Sequence, residues 1–368
     1  MTLRAYLDWN ATAPIRPEAR TAMTAALDLA GNPSSVHGEG RAARALIEDA
    51  REAVASLIGA GPDQIVFTSG GSEANALALG GSDRRVLASA IEHDSVLAHA
   101  VPERIKVTAE GVVDLDDLEA KLASGRAPVL VSVMLANNET GAIQPLADVV
   151  RIARAHGALV HTDAAQAAGR MPVDFLSLGA DLMSVSAHKL GGPQGVGALV
   201  IGERALVAPM IRGGGQERGR RAGTENVAGI VGFGAAAIAA AVTDWRSVTQ
   251  LRCDLEQRAI GLGAEIFADQ AARLPNTTSL RLPGIAAETL VIALDLEGVA
   301  VSAGAACSSG KVKTSPVLKA MGMSEQAAGE AIRASLGWTT TAEEIDLFIA
   351  ALGRIRDRIG RRDLRAAA

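Results

Sequence analysis

Apolar positions along the first two thirds of the chain follow two spacings. Between residues 38 and 58 they recur every three or four positions, as at Ala43, Ile47 and Val54, which predicts a helix with one apolar stripe. Short runs of apolar and β-branched residues appear at 65–68, 85–89, 128–135, 158–162, 182–186 and 196–201. Strands that alternate with helices predict an α/β fold with a mainly parallel sheet covered by helices on both faces.

A different pattern begins near Thr243. It predicts a long helix over 245–263, a strand over 277–282, a helix over 286–296, a strand over 331–336 and a final helix over 342–359. A loop rich in small residues, 302–313, interrupts this part. We expect a smaller α+β domain here.

Composition and charge exclude several classes of protein. With 48% hydrophobic and 21% charged residues, the 368-residue chain has the composition of a folded protein. The net charge of −5 and the absence of a long Lys/Arg run argue against nucleic acid as a partner. Two cysteines form neither a disulfide framework nor a four-cysteine zinc site, and the longest apolar run, 235–242, is too short to span a membrane. With no visible targeting signal, we expect a cytoplasmic location.

One candidate anion site follows the predicted strand 65–68. The run Ser-Gly-Gly at 69–71 leads into a helix that is predicted to begin at Ser72. Such a turn directs backbone N–H groups and the helix dipole at an anion, most often phosphate. A plain strand-to-helix turn is the alternative.

Polar residues also follow two other predicted strands. Asp163 comes directly after 158–162, where a carboxylate could hold a ring nitrogen protonated, although it could equally cap a helix. Gln166 nearby could be an ordinary surface residue. Lys189 follows the strand 182–186, and a desolvated lysine can form a Schiff base, although a lone lysine at a strand end is usually just solvated. An anion cup, a carboxylate and a lysine together match the needs of pyridoxal phosphate.

Ordered motifs along almost the whole chain resemble those of the NifS/IscS-like cysteine desulfurases, a group within the class V aminotransferases, which are fold-type I pyridoxal phosphate enzymes. The motifs are Tyr-Leu-Asp at 6–8, GNPSSVH at 31–37, the loop at 68–75, Glu-His at 92–93, NNETG at 137–141, HTDAAQ at 161–166, SAHK at 186–189, GGGQE at 213–217, GTEN at 223–226 and RASLG at 333–337. The resemblance implies a large cofactor-binding domain over 15–245 and a small domain built from 1–14 and 246–368.

The resemblance also implies roles for individual residues. Lys189 would carry the cofactor as a Schiff base, Asp163 would pair with the ring nitrogen, and His93 would stack on the ring and relay protons. Asn138 and Gln166 would hydrogen-bond on the side of the phenolic oxygen. The residues implied for the phosphate are Gly71, Ser72, Ser186 and His188, with Thr224 reaching in from the second subunit of a homodimer.

We expect Cys307 to select the reaction and Arg333 to bind the substrate. Cys307 lies among small residues, so we expect it on an exposed, mobile loop as the nucleophile, whereas Cys253, in a helical run, is predicted to be an ordinary buried cysteine. The guanidinium of Arg333 is suited to a substrate carboxylate, a role the resemblance also implies and to which Asn138 would contribute; an ordinary surface arginine is the alternative.

The resemblance implies the conversion of L-cysteine to L-alanine with transfer of sulfur to Cys307 as a persulfide. The sulfur would then pass to an acceptor or scaffold protein for iron-sulfur cluster assembly or a related sulfur transfer. Selenocysteine lyase or aminotransferase activity on the same scaffold is the enzymatic alternative, and a non-catalytic sulfur-relay partner is another.

Overall fold

A computed structural model describes residues 4–101, 103–124, 128–304 and 314–366, with side chains described as far as residue 358. The strands are β1 (Ala5–Tyr6), β2 (Ile65–Thr68), β3 (Arg85–Ser89), β4 (Arg104–Ile105), β5 (Val129–Ser132), β6 (Leu159–Asp163), β7 (Leu182–Ser186), β8 (Gly197–Ile201), β9 (Glu265–Phe267), β10 (Thr277–Arg281), β11 (Val299–Ala300), β12 (Ser302–Ala303) and β13 (Ala331–Ser335). The helices are α1 (Pro17–Leu27), α2 (Gly38–Leu57), α3 (Gly71–Gly80), α4 (Asp94–Leu97), α5 (Leu115–Ser124), α6 (Leu146–Ala155), α7 (Phe175–Leu178), α8 (Val227–Ala241), α9 (Arg246–Gly261), α10 (Ala287–Leu296), α11 (Pro316–Ala320), α12 (Glu325–Gly329) and α13 (Ala342–Ala366).

The main sheet has seven strands in the order β2-β8-β7-β6-β5-β3-β4. All neighbours pair in parallel except β8, which is antiparallel to both β2 and β7. The predicted α/β class is confirmed, and each of the six predicted runs contains a strand, although the run 128–135 forms a strand only over Val129–Ser132. The seventh strand, β4, has two residues, which is too short for an apolar pattern to reveal.

Helices cover both faces of this sheet. On one face α2 buries Ile47 and Val54, the stripe that the spacing predicted, against the apolar helix α8. Small residues let these two helices approach closely, since a Cβ on Gly234 would lie 2.7 Å from Ala50. On the opposite face α3 contributes Leu77 to a separate core cluster with residues of β2, β3 and β8.

The remaining elements form a second, antiparallel sheet in the order β12-β13-β10-β9. Helices α9, α10 and α13 pack beside it around a core that includes Leu290 and Phe348. Strand β1, near the beginning of the chain, pairs with β11 and places Ala5 and Leu7 in this second core. The division into 15–245 and 1–14 with 246–368 stays a prediction, and these contacts are compatible with it.

Within the described ranges, no single helix has both the length and the apolar character needed to cross a membrane. The helices α8 and α9 meet that test only as a pair, with a bend of 77° between them.

Candidate active site

The site lies where β6 and β7 end. These strands are parallel, with Asp163 opposite Ser184, so their carboxyl ends meet at one edge of the sheet. Strand β8 runs the other way and begins beside this edge at Gly197, where a Cβ would lie 2.5 Å from the carbonyl carbon of Gly70. Glycine at position 197 therefore lets the turn between β2 and α3 lie against the sheet edge.

A cavity of about 290 Å³ opens at this edge. The residues predicted from sequence that line it are Gly71, Ser72, His93, Asn138, Asp163, Gln166, Ser186, His188, Lys189 and Arg333. Thr224 is exposed and is not among the residues that line this cavity. Cys307 lies outside the described residues. The structure thus brings together ten of the twelve predicted residues, whose individual roles remain predictions.

The side chain of Lys189 is held beside a segment near the start of the chain. Its Nζ donates to Asn10 O at 2.6 Å and to Ala11 O at 2.8 Å. Asn10 is only 1% exposed, and its Nδ2 donates to Asn138 O and Thr277 Oγ1. Sequence reasoning missed Asn10, which closes the cavity around Lys189, because nothing in a local pattern links residues 10 and 189.

Asp163 is buried, and both of its carboxylate oxygens accept hydrogen bonds. Ala165 N donates to Oδ1 at 2.9 Å, and Asn75 Nδ2 donates to Oδ2 at 2.8 Å. A turn, not a helix, follows Asp163, so the helix-cap alternative is wrong. Two residues earlier, His161 lies between the hydroxyls of Ser132 and Ser184. Burial lowers the pKa of His161 to about 4, so this ring is neutral beneath the carboxylate.

A chain of hydrogen bonds connects His93 with Asp163. Asn75 Nδ2 donates to Ser95 Oγ at 2.9 Å as well as to Asp163, and Ser95 Oγ lies 2.8 Å from His93 Nδ1. The backbone N–H of Ser95 donates to the same ring nitrogen at 3.1 Å, which makes Nδ1 an acceptor and places the proton of a neutral ring on Nε2. Sequence reasoning missed Asn75 and Ser95; the available signal was an amide side chain at a buried position of helix α3.

The anion cup is formed by the start of α3 and the end of β7. The helix begins at Gly71, one residue before the predicted Ser72, and its first N–H groups lack partners within the helix. Ser186 and His188 line the same space. Burial, with Lys189 and Arg170 nearby, lowers the pKa of His188 to about 4. The cup therefore presents helix N–H groups, hydroxyls and a neutral imidazole.

Arg333 lies on β13 at the other side of the cavity and is 2% exposed, so the surface-arginine alternative is wrong. Its Nη2 forms an ion pair with Asp8 Oδ1 at 2.8 Å, and its Nη1 donates to Asn138 O at 3.1 Å. The Nε of Arg333 is buried without a hydrogen-bond partner among the described residues. Sequence reasoning did not pair Asp8 with Arg333, since 325 positions separate them.

Cys253 is exposed, so the prediction of a buried cysteine is wrong. It lies on α9, which buries Val248, Leu255 and Ala259. Position 253 falls on the opposite, solvent-facing side of this helix.

Comparison with known proteins identifies the family. The aminotransferase class-V family matches residues 5–348. This chain belongs to the aminotransferase class-V family. A cysteine desulfurase of Cereibacter sphaeroides is 44% identical over 97% of this chain and 96% of that protein. The IscS cysteine desulfurase of Dictyoglomus turgidum is 40% identical over 98% of this chain and 96% of that protein.

Solved structures of similar proteins agree with the fold. The NifS-like protein from Rickettsia africae superposes with a TM-score of 0.90 at 37% identity, over 96% of this chain and all of that one. A structure described as SspA in complex with cysteine gives a TM-score of 0.80 at 30% identity, over 90% of this chain and 98% of that one. The fold of a NifS-like class-V enzyme is thereby confirmed.

Proposed function

We propose that this class-V protein is a pyridoxal-phosphate-dependent cysteine desulfurase. It converts L-cysteine to L-alanine and leaves the sulfur on Cys307 as a persulfide. One observation carries the proposal: Lys189 Nζ, the carboxylate of Asp163 and the buried guanidinium of Arg333 line the same cavity. The relatives that are named cysteine desulfurase, at 44% and 40% identity over nearly the whole chain, support the choice of reaction.

The donors and acceptors around the cavity fit pyridoxal phosphate. The start of α3 with Ser72 and Ser186 suits the phosphate, and a Cβ on Gly71 would lie 3.3 Å from the Cβ of Ser186, so a side chain there would narrow the cup. Asp163 suits a protonated ring nitrogen, and Lys189 suits the aldehyde. When bound, the cofactor supplies an electron sink that weakens the Cα–H and Cβ–S bonds of cysteine.

The protein's own groups then bind the substrate and move its protons. The guanidinium of Arg333, which lines the cavity, can donate to the carboxylate of cysteine, while Asp8 and Asn138 O hold the guanidinium in place. Lys189 Nζ, beside the cofactor, takes the Cα proton. The hydrogen bonds to Asn10 O and Ala11 O keep this nitrogen at the cavity.

Sulfur transfer balances without an added oxidant. The thiolate of Cys307 attacks the sulfur of cysteine, so an S–S bond forms while the Cβ–S bond breaks. The electron pair of that bond stays with Cβ, which is protonated to give the methyl group of alanine. A reducing acceptor then removes the outer sulfur from the persulfide.

A second copy of the chain is part of the proposal. Thr224 is exposed in the loop after β8, and the same stretch exposes Leu206 at 90% and Met210 at 50%. Within its own chain this loop is tied to α3 through Arg221, whose Nε donates to Glu73 Oε1 at 2.8 Å. Exposed apolar side chains beside Thr224 suit a homodimer in which that residue reaches the partner's phosphate cup. A sulfur-acceptor protein and a cytoplasmic location complete the proposal.

The two cysteines allow a matched test of the reaction. The purified protein, loaded with pyridoxal phosphate, is incubated with L-cysteine, and both alanine and the position of the persulfide are measured by mass spectrometry. We expect the wild type and Cys253→Ala to form alanine and a persulfide on Cys307, and Cys307→Ala to form neither at the normal rate. Full alanine production by Cys307→Ala would refute the assigned nucleophile, and amino-group exchange with a keto acid in place of persulfide would favour an aminotransferase.

A further inference from the structure

A second buried cation lies behind the cavity. Arg170, four residues after Gln166, is 4% exposed. Its guanidinium donates to Gln166 O at 2.9 Å, Lys189 O at 3.0 Å and Trp9 O at 3.4 Å, and Nη1 also donates to the side-chain oxygen Gln166 Oε1. Among the described residues no carboxylate forms an ion pair with it. All of its observed acceptors are amide oxygens. The side chain of Arg170 therefore orients amide groups and does not neutralise a carboxylate in the described part of the chain.

These contacts determine which way the amide of Gln166 faces. A guanidinium has only donors, so the group that meets it must be the oxygen Oε1. The amide nitrogen then lies on the other side, where Nε2 donates to Asn10 O at 3.0 Å. Both neighbours require the same orientation of the amide. A flipped amide would place its N–H groups against those of Arg170 and its oxygen against Asn10 O.

The orientation matters because Gln166 lines the cavity. Its amide nitrogen carries two hydrogens, and Asn10 O takes one of them. The same carbonyl accepts Lys189 Nζ at 2.6 Å, so the nitrogen of Gln166 and that of Lys189 converge on one oxygen. The second hydrogen is available to an acceptor bound next to Lys189.

We propose that Arg170 is a positioning residue that locks Gln166 with its amide nitrogen toward the cavity, so that the site offers a hydrogen-bond donor, and never an acceptor, to an anionic oxygen of the cofactor beside Lys189. This inference rests on the proposed function. Arg170 also fixes the backbone of Lys189 through its carbonyl oxygen. Its hydrogen bonds act on the site only through these two residues, whereas its positive charge acts through space.

The consequence is a shift in proton affinity that can be read spectroscopically. A donor at the phenolic oxygen withdraws electron density from it, which lowers the pKa of the nitrogen that joins Lys189 to the cofactor. Burial and the neighbouring Arg333 lower the pKa of Arg170 itself to about 9, so it is a cation at neutral pH and acts in the same direction. Loss of Arg170 should therefore raise the midpoint of the cofactor's absorbance titration.

Variants separate the orienting effect from the charge. Arg170→Lys keeps the positive charge but cannot reach all of these oxygens with one planar group. We expect it to raise the midpoint by about 0.5 to 1 pH unit, which is about a three- to tenfold change in proton affinity. Arg170→Met, which loses the charge as well, should raise it further. Arg151→Met, on the exposed side of α6, is the control and should leave the midpoint unchanged.

A double-mutant cycle tests whether Arg170 acts through Gln166. If Arg170 acts through Gln166, then Arg170→Lys should shift the midpoint by less than a quarter as much in a Gln166→Ala background as in the wild type. Equal shifts in both backgrounds, or no shift in either, would overturn the inference. Thermal melting of the cofactor-free variants checks folding, and Arg170→Lys carries the cycle if Arg170→Met does not fold. A wild type that never acquires cofactor absorbance would instead refute the proposed function.

Discussion

Glu92 provides a quantitative test of the electrostatics beneath the cavity. Its Oε1 accepts from Ser89 Oγ at 2.6 Å and from Met134 N at 2.7 Å, whereas Oε2 is buried with no partner among the described residues. Burial raises the pKa of Glu92 to about 8, and the nearby charge of Asp163 acts in the same direction. The carboxyl group is therefore neutral at pH 7 in the folded protein.

The sign of the pH dependence follows from this raised pKa. Between about pH 4.5 and pH 8 the folded state holds a proton on Glu92 that the unfolded chain has lost, so stability falls as pH rises through this window. The slope approaches about 1.4 kcal/mol per pH unit, which gives a loss of about 2 kcal/mol between pH 6 and pH 7.5. Glu92→Gln removes the titrating proton and keeps an oxygen for Ser89 and Met134. We expect the variant to lack this loss.

Urea unfolding of the cofactor-free protein at pH 6 and pH 7.5 measures the effect. The difference in unfolding free energy between variant and wild type should become about 2 kcal/mol more favourable to the variant at the higher pH. Other titrating groups are present in both proteins and cancel in this difference. Exposed Glu52→Gln is the matched control and should show no such change. If the unfolding free energies of Glu92→Gln and the wild type changed with pH in parallel, Glu92 would be ionised in the folded protein and the reasoning would be wrong.

Three further predictions test other parts of the site. Burial raises the pKa of Glu139 to about 7, so Glu139→Gln should gain about 1 kcal/mol relative to the wild type between pH 6 and pH 7.5, and a pH-independent difference would contradict this. Asn75→Asp places a second carboxylate beside Asp163 and should weaken cofactor binding by about tenfold at pH 8, with partial recovery at pH 6, as measured by equilibrium dialysis. Arg333→Lys loses the planar fork, so the KM for L-cysteine should rise about tenfold with the cofactor absorbance unchanged; an unaltered KM would argue against Arg333 as the carboxylate site.

Sequence reasoning succeeded where the chemistry follows a regular element. Asp163 and Lys189 each come after a buried run, and because β6 and β7 pair in parallel the two residues reach the same edge of the sheet. The anion cup could be predicted for the same reason, because the paired glycines 70 and 71 stand where strand β2 leads into helix α3. The helical spacing of α2 likewise predicted its buried stripe.

Sequence reasoning failed where a contact depends on tertiary pairing. Asn10 reaches the cavity and Asp8 reaches Arg333 because β1 joins β11, nearly 300 positions away, and no local period reports such a pairing. Arg170 is one of many arginines, and only the folded backbone shows that it is buried against amide oxygens. Cys253 faces solvent because the apolar stripe of α9 is narrow, and its position on that helix was misjudged.

The central claim is that Lys189 is the amine to which the cofactor is attached. Borohydride reduction of the protein loaded with pyridoxal phosphate fixes the cofactor covalently, and peptide mass spectrometry then locates it among the lysines of the chain, Lys106, Lys121, Lys189, Lys311, Lys313 and Lys319. We predict a single modified peptide that contains Lys189. Attachment to another lysine, or no attachment after loading, would contradict the account.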